Sequence, residues 1–314
     1  MSSYDKVLTR GTITKGIAGF YYVKTIGGLY MCRARGIFKK DGVTPLVGDE
    51  VMIEIQDEDE GVVSEILPRR NAFVRPPIAN IDVFISVVAA KDPVVNPEVL
   101  DRFLVTAEVA GVDAVVCINK ADLREERSER GDAPTDTEAI YASLYPTVLV
   151  SAKTGEGIER LKSLMRDRRA AFAGPSGVGK SSLINRFLVG DDLPTGTVSE
   201  KTRRGRHTTR HVEIFNTDFN AEIYDTPGYT SFEGWTSNGA GCGEDMKLDA
   251  YFPDIGGYGE ACRFDNCRHV HEPGCAVTQA AKDGAIAATR YASYVKMLLE
   301  MERKLKKGSG KKSG

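Results

Sequence analysis

The sequence lacks a long apolar run, because no segment approaches the ~18 consecutive apolar residues that a membrane-spanning helix requires. Its first ten residues contain no apolar core of the kind found in secretory signal peptides. With 41% hydrophobic and 27% charged residues among 314, the composition excludes disordered, collagen-like and disulfide-scaffold proteins. We therefore expect a cytoplasmic globular protein that does not contact a membrane.

Cysteine is scarce, and its six residues are unevenly distributed. Three of them lie within residues 262–275, whereas Cys32, Cys117 and Cys242 stand alone. In a reducing compartment, such crowding predicts a metal site and not a set of disulfides.

Net charge is also small, since 42 basic side chains oppose 44 acidic ones and leave −2. The basic residues are nevertheless concentrated. Eight of them and no acidic residue lie between Lys6 and Lys40, five more lie between Lys201 and His211, and the tail after Met301 is rich in lysine. Basic patches of this kind indicate a nucleic-acid partner.

The first ~70 residues are predicted to form short strands separated by glycine-rich turns. Five strands without helical periodicity favour a small closed barrel of the OB type. Such barrels bind single-stranded nucleic acid through aromatic side chains on a basic face, although the same aromatics can instead pack in the barrel core. The predicted strands are Val7–Thr14, Phe20–Thr25, Leu29–Gly36, Glu50–Ile55 and Val62–Leu67, and the aromatics are Phe20, Tyr21, Tyr22, Tyr30 and Phe38.

After Pro76-Pro77, apolar strand-like runs alternate with helical segments, which predicts an α/β domain with a parallel sheet. We place the domain limits at 1–71 for the barrel, 72–235 for the α/β domain and 236–314 for a mainly helical domain with a basic tail. The predicted α/β strands are Val83–Ala89, Ala114–Ile118, Thr147–Val150, Ala170–Ala173, Val212–Phe215 and Glu222–Tyr224; the predicted helices are Leu100–Ala110, Gly157–Arg166, Ser182–Leu188 and Ile286–Lys306.

A phosphate-binding loop is predicted at residues 174–181, which fit the pattern G-x-x-x-x-G-K-[ST] between a predicted strand and a predicted helix. Glycines allow backbone N–H groups to turn inward around phosphates. We expect Lys180 to reach the β- and γ-phosphates and the Ser181 hydroxyl to ligate Mg²⁺. The predicted phosphate-site residues are Gly174, Pro175, Ser176, Gly177, Val178, Gly179, Lys180, Ser181 and Ser182.

Two further segments select guanine. Asp122 closes the tetrapeptide Asn119-Lys120-Ala121-Asp122, and its carboxylate can accept from guanine N1–H and N2–H₂ together, groups that adenine lacks there. Asn119 is expected to hold this loop and face N7, and Lys120 to lie over the base. Backbone N–H groups of Ser151-Ala152-Lys153 can meet guanine O6. A site built on such hydrogen bonds rejects bases that lack the matching groups.

A fourth segment concerns the γ-phosphate. In Asp225-Thr226-Pro227-Gly228, Asp225 can hold Mg²⁺ through water, and the Gly228 N–H can sense the γ-phosphate. All four segments follow predicted strands, where ligands of open α/β sheets bind, so the sequence predicts a GTP site. The guanine-reading loops precede the phosphate loop, which indicates circular permutation of an ordinary GTPase domain.

Over nearly its whole length the chain resembles the circularly permuted GTPases of RsgA type. The resemblance implies an OB domain, a permuted GTPase domain and a zinc domain, with GTP/GDP, Mg²⁺ and one structural Zn²⁺. It further implies action on the bacterial 30S ribosomal subunit and its 16S rRNA, with hydrolysis stimulated by the subunit and driving release. We expect a monomer. The segments that carry the resemblance are 75–80, 119–122, 151–155, 174–182, 205–209, 225–228 and the cysteine cluster.

The cysteine cluster supplies four metal ligands within fourteen residues, Cys262, Cys267, His269 and Cys275. Three thiolates and one imidazole suit tetrahedral Zn²⁺, and four protein ligands make a closed, structural site. His271 is the alternative to His269, which the family pattern favours. The other alternative is a set of unligated, reduced cysteines.

The segment 203–209 occupies the place of the first switch loop. By the family pattern Thr209 completes the Mg²⁺ shell, with Thr208 as the second choice. Tyr229 stands where Ras-like enzymes have a water-orienting glutamine, so we expect His207 to position water. The alternative is that His207 and its neighbouring arginines contact RNA backbone.

Two other functions stay open at this point. One is an RNA-binding scaffold in which nucleotide only gates affinity. The other is a GTPase that serves a non-ribosomal partner. That function would leave the basic face of the barrel and the basic tail unexplained.

Overall fold

A closed barrel of five strands forms the N-terminal part of the molecule. The computed structural model of the chain describes residues 8–40, 42–124, 137–188, 212–225 and 246–309. The barrel elements are β1 (Leu8–Ile17), β2 (Phe20–Thr25), β3 (Gly28–Ala34), α1 (Gly36–Lys40), β4 (Glu50–Ile55) and β5 (Glu60–Ile66). The strand order is β1-β2-β3-β5-β4, and β1 pairs again with β4 to close the barrel. The predicted OB-type barrel is confirmed.

Most of the barrel aromatics pack inward. Tyr21, Tyr30 and Phe38 are half-buried against the apolar core of the barrel. Phe20 instead lies beneath the guanidinium of Arg33, whose Cζ is 4.9 Å from the ring centroid. Packing therefore accounts for three of the five predicted RNA-facing aromatics.

A short hairpin connects the barrel to the α/β domain. It consists of β6 (Ala72–Phe73) and β7 (Ile78–Ala79). Asn80 follows β7, is buried, and donates from Nδ2 to the Gly48 carbonyl over 2.9 Å. At Gly48 (φ +94°) a Cβ atom would lie 2.1 Å from the Ala79 carbonyl oxygen, so only glycine fits this junction.

The α/β domain is built on a mainly parallel sheet. Its strands are β8 (Val83–Ala89), β9 (Asp113–Asn119), β10 (Thr147–Leu149), β11 (Arg169–Ala173), β12 (Glu213–Asn216) and β13 (Glu222–Asp225). They lie in the order β10-β9-β8-β11-β13-β12, and β12 is antiparallel to β13. Lys15 of β1 pairs with Glu213 of β12, so one sheet continues from this domain into the barrel. The limits 1–71, 72–235 and 236–314 stay a prediction.

Helices cover both faces of the parallel sheet. They are α2 (Pro97–Ala110), α3 (Thr137–Tyr141), α4 (Ile158–Met165) and α5 (Lys180–Asn185). The α2 helix starts at an Asn96 cap, whose side chain accepts from the Glu98 N–H, and ends at Gly111 with φ +63°. The two apolar cores, one on each face, bury β8, β9 and β11 almost completely. This explains their uninterrupted apolar sequences.

The C-terminal part is mainly helical and packs against α2. It contains α6 (Pro253–Gly259), α7 (Ala276–Lys282) and α8 (Ala288–Ser309). Val105 of α2 lies in the same apolar core as Phe252, Val277 and Met297. The long helix starts two residues later than predicted and ends at Ser309. Among the helices in the described parts of the chain, none combines the length and apolarity needed to cross a bilayer.

Candidate functional site

The predicted nucleotide-binding segments meet at one edge of the sheet. Residues 119–122 follow β9, 151–153 follow β10, 174–182 follow β11, and Asp225 is the last residue of β13. These four strands run parallel with β8 among them, so their carboxyl ends share an edge. The permuted chain order therefore still produces one site.

The phosphate loop has the backbone that its glycines predict. Gly174, Gly177 and Gly179 all have positive φ, at 153°, 83° and 89°. At Gly179 a Cβ atom would lie 2.4 Å from Asn119 Nδ2. The loop thus requires glycine at this position for its backbone conformation and for its approach to the guanine-reading segment.

Lys180 lies at the start of α5 with its ammonium group inside the loop. Its Nζ donates to the carbonyl oxygens of Gly174 at 2.5 Å and Pro175 at 2.9 Å. Burial lowers the pKa of Lys180 to about 8 because the charged form loses hydration. An anionic phosphate beside it would favour the charged form again, which suits a residue that receives polyphosphate.

Asn119 connects three of the four segments. Its side chain is buried, and its Nδ2 donates to the Val178 carbonyl at 2.8 Å. Its Oδ1 accepts from the Ala152 N–H at 3.1 Å. The structure therefore shows the loop-holding role predicted for Asn119, whose side chain joins the phosphate loop to the loop after β10.

Asp122 is oriented by the loop that follows β10. The Ser151 hydroxyl donates to Asp122 Oδ1 at 2.6 Å and accepts from the Thr154 N–H at 3.1 Å. Ser151 is fully buried, which fixes this hydrogen bond. One carboxylate oxygen of Asp122 is thus held by the protein, and the carboxylate has a defined direction in which to meet a base.

Two parts of the site were missed by sequence reasoning. The first is the loop between β8 and α2, where the Asp92 carbonyl accepts from Lys120 Nζ and Pro93 lies against Gly177. The second is Arg186, which bonds the loop after β10. The position of residues 90–96 after a buried strand could have revealed the loop, whereas no sequence signal marks Arg186.

Several predicted site residues lie outside the described part of the chain. They are His207, Thr208, Thr209 and Gly228. Their predicted roles in Mg²⁺ ligation, water positioning and γ-phosphate sensing stay predictions.

The predicted metal ligands lie together in the C-terminal part. The ligand atoms of Cys262, Cys267, His269 and Cys275 are all within 4.8 Å of one another. The Sγ atoms of Cys262 and Cys275 are 3.7 Å apart, and each is 3.5 Å from His269 Nδ1. A tetrahedral zinc ion separates two sulfurs by about 3.8 Å and sulfur from nitrogen by about 3.6 Å. The donor set and its spacing therefore fit zinc.

Neighbouring residues hold both the imidazole ring and the backbone of His269. Its Nε2 lies 3.4 Å from Asp249 Oδ2, which leaves Nδ1 to face the sulfurs. Its backbone has φ +60°, and the hydroxyl of Tyr291 on α8 donates to its carbonyl at 2.8 Å. A carboxylate behind a metal-facing histidine fixes the ring orientation. His271 is exposed and does not belong to the group of four ligand atoms.

A buried ion network joins the cysteine-rich part to the α/β domain. Arg290 of α8 is fully buried and donates to Asp101 of α2 at 2.6 Å and to both carboxylate oxygens of Asp254. Tyr141 of α3 donates to the same Asp101 oxygen at 2.7 Å. The loop that precedes α2 lies against the phosphate loop through Pro93 and Gly177, so the network docks the cysteine-rich part onto a helix connected to the nucleotide site.

Comparison with known proteins agrees with this architecture. Residues 66–235 match the RsgA GTPase family and residues 10–63 match the RsgA N-terminal domain. The chain is 46% identical to the small ribosomal subunit biogenesis GTPase RsgA of Caldanaerobacter subterraneus subsp. tengcongensis, over 95% of this chain and 97% of that protein. It is 40% identical to the protein of the same name from Alkaliphilus metalliredigens, over 94% and 99%.

Solved structures show the same similarity. The crystal structure of YjeQ from Thermotoga maritima has a TM-score of 0.74 and 34% identity, covering 94% of this chain and 99% of that one. YloQ, described as a circularly permuted GTPase, has a TM-score of 0.73 and 32% identity, covering 97% and 99%. The chain is a GTPase and belongs to the RsgA family.

Proposed function

We propose that this GTPase binds the small ribosomal subunit in the cytoplasm and assists its late maturation. In this proposal the subunit stimulates GTP hydrolysis, and hydrolysis drives release of the protein. The observation that carries the proposal is the 46% identity, over 95% of the chain, to a relative named for small ribosomal subunit biogenesis.

The base is recognised by the two loops that follow β9 and β10. Asp122 accepts from guanine N1–H and N2–H₂ with the carboxylate that Ser151 orients. The N–H group of Lys153 meets O6, since that of Ala152 already donates to Asn119 Oδ1, and the Lys120 stem covers the base. Asn119 acts mainly by holding these loops to the phosphate loop. Its Nδ2 donates to the Val178 carbonyl of the phosphate loop, and its Oδ1 accepts from the Ala152 N–H of the loop after β10.

The phosphates lie in the loop 174–182. Lys180 exchanges its carbonyl partners for the β- and γ-phosphates, and its recovered charge stabilises the negative charge of the transition state. Ser181 and Thr209 would hold Mg²⁺, and Asp225 would assist through water. When bound, the ion neutralises charge on the β- and γ-phosphate oxygens. His207 positions the attacking water when the subunit is bound.

The barrel and the basic segments contact 16S rRNA. Several barrel cations are already paired, for example Lys15 with Glu213 and Arg35 with Glu54. Arg33, exposed and stacked on Phe20, instead presents a flat cationic surface that suits a phosphate or an unstacked base. The protein acts as a monomer.

One Zn²⁺ is held by Cys262, Cys267, His269 and Cys275. With all four positions supplied by protein, the ion has a structural role. It fixes the turns before α7, and α8 then carries this part onto α2 through Arg290 and its partners.

The test is GTP hydrolysis by the purified chain alone, with 30S subunits and with 50S subunits. We expect slow turnover alone, strong stimulation by 30S subunits and none by 50S subunits. An equal response to both subunits, or to neither, would reject the small subunit as the activating partner.

Two variants separate the alternatives within this proposal. His207→Ala should lose subunit-stimulated hydrolysis and keep GTP binding, whereas His211→Ala, from the same basic segment, should keep both. Normal stimulated turnover in His207→Ala would refute the water-positioning role. If Lys180→Ala, tested in cells that lack the wild-type protein, still restores subunit maturation, the chain acts as an RNA-binding scaffold and not through hydrolysis.

A further inference from the structure

The contact between α5 and the loop after β10 has no role in the function proposed above. Arg186 follows the last residue of α5, six positions after Lys180. Its Nε donates to the Ala152 carbonyl and its Nη2 to the Lys153 carbonyl, both at 2.7 Å. A guanidinium edge carries two parallel N–H donors, so this edge fits two successive carbonyl oxygens.

These two bonds set the direction of a neighbouring N–H group. In a trans peptide the C=O and N–H groups point in opposite directions. Because Arg186 holds the Ala152 carbonyl, the N–H of Lys153 in the same peptide unit points away from Arg186. The N–H of Ala152 is fixed separately, since it donates to Asn119 Oδ1. Because the Ser151 N–H likewise donates to the Glu156 carbonyl, the Lys153 N–H is the group of this loop that meets guanine O6, and Arg186 sets its direction.

Arg186 is held in place by the helix that also carries the phosphate-binding residues. Lys180 and Ser181 lie at the start of α5, and Arg186 caps its other end with its backbone N–H bonded to the Leu183 carbonyl. One short helix thus contacts the phosphate loop at one end and the guanine-reading loop at the other. A shift of the helix would move both.

We propose that Arg186 is a positioning residue for guanine recognition, which holds the loop 151–153 so that the Lys153 N–H meets the 6-oxo group of the base. This inference rests on the nucleotide site proposed above and adds to it the residue that sets selectivity for a 6-oxo purine. Arg186 does not touch the nucleotide in this arrangement and acts only through the loop.

The test compares a nucleotide that carries a 6-oxo group with one that does not, in wild-type and Arg186 variants. Dissociation constants are measured with Mg²⁺ on the full chain for GDP and for 2-aminopurine riboside diphosphate, which lacks O6 and, with it, the N1 hydrogen that Asp122 accepts. The variants are Arg186→Ala, Arg186→Lys and the control Arg160→Ala, which removes an exposed arginine from α4. We expect Arg186→Ala to weaken GDP binding about tenfold and to leave the 2-aminopurine nucleotide unchanged within about twofold. Arg186→Lys should lie between, because an ammonium group replaces only part of the fork.

The outcomes separate this inference from the function on which it rests. If the wild-type chain binds both nucleotides equally, the O6 contact itself fails and Arg186 has nothing to position. If the wild-type chain discriminates and Arg186→Ala discriminates as well, only the role of Arg186 is overturned. Equal weakening of both nucleotides also overturns it, since that result marks general damage to the site.

Discussion

Single residues in this molecule support the nucleotide site mainly by holding loops to one another. Asn119 spans from Val178 to Ala152, and Ser151 spans from Thr154 to Asp122. The consequence is that a change in spacing between loops should affect affinity as strongly as the loss of a ligand contact.

Gly179 tests this dependence on spacing. In Gly179→Ala the new Cβ would displace the Asn119 amide, whereas in Gly177→Ala its nearest contact would be Pro93 Cδ at 3.8 Å. Both residues have positive φ, so both substitutions share a strain of about 1–2 kcal/mol. We expect Gly179→Ala to lower the free energy of unfolding by about 2 kcal/mol more than Gly177→Ala, because the buried Asn119 bonds are lost. Urea denaturation measures this difference, and equal losses would contradict it.

Residues that belong to a motif of fixed spacing could be predicted from the sequence. Residues that make a single local contact could not. The tetrapeptide ending at Asp122 and the phosphate loop were recognisable because their spacing is set by the ligand. Arg186 was not, because a surface arginine after a short helix has no distinguishing pattern. The hydrogen bonds of Asn119 within the protein could be expected only in part, since they depend on how close two loops come.

At the scale of elements, the contact between α2 and α8 joins the α/β and cysteine-rich parts. Arg102 of α2 pairs with Glu300 at 2.6 Å, and Glu98 pairs with Lys296 at the same distance. These pairs lie near the surface, whereas Arg290 and Asp101 are fully buried. The buried pair should therefore dominate the energetics of docking.

Removing the buried cation should destabilise the molecule far more than removing a surface one. Arg290→Met leaves Asp101 and Asp254 buried without their partner, which costs about 3–5 kcal/mol. Lys296→Met, on the same helix, breaks a pair whose lysine is 59% exposed and should cost below about 1 kcal/mol. Urea denaturation of the two variants provides the comparison. Similar losses in both would mean that the buried network contributes little.

The metal cluster makes a second prediction at this scale. His269→Ala should lose zinc, as measured by elemental analysis of the purified chain, because its Nδ1 lies 3.5 Å from two of the sulfurs. His271→Ala should retain one zinc ion per chain. GDP binding should persist in both variants, since the ligands come from the C-terminal part. Retention of zinc by His269→Ala together with its loss in His271→Ala would assign the ligand to the alternative histidine.

The elements themselves were largely predictable, and their junctions were not. Strong apolar runs such as β8 and β11 were found within one or two residues, because strands buried on both faces have no polar interruption. The pairing of Lys15 with Glu213, which joins barrel and α/β sheet, left no sequence signal. Tertiary packing determines which two strand edges meet through a single residue pair, and local sequence does not.

At the scale of the whole molecule, chain order and spatial order differ. The guanine-reading loops come first in sequence, yet the parallel sheet brings them to the same edge as the phosphate loop. The cysteine-rich part docks on α2, whose preceding loop contacts both Lys120 and Gly177. We therefore expect these four segments, in permuted order, to form one guanine-nucleotide site.

A single substitution at Asp122 should change which base this site selects. In Asp122→Asn the Ser151 hydroxyl would still donate to Oδ1, which turns the new NH₂ group toward the base. Xanthine has a carbonyl oxygen at position 2 where guanine has an amino group. The dissociation constants of GDP and of xanthosine diphosphate (XDP) are measured for the wild-type and Asp122→Asn chains. We predict that the wild-type chain prefers GDP by about a hundredfold or more and that Asp122→Asn prefers XDP. If Asp122→Asn still prefers GDP, Asp122 does not read the base and the segments do not form the expected guanine site.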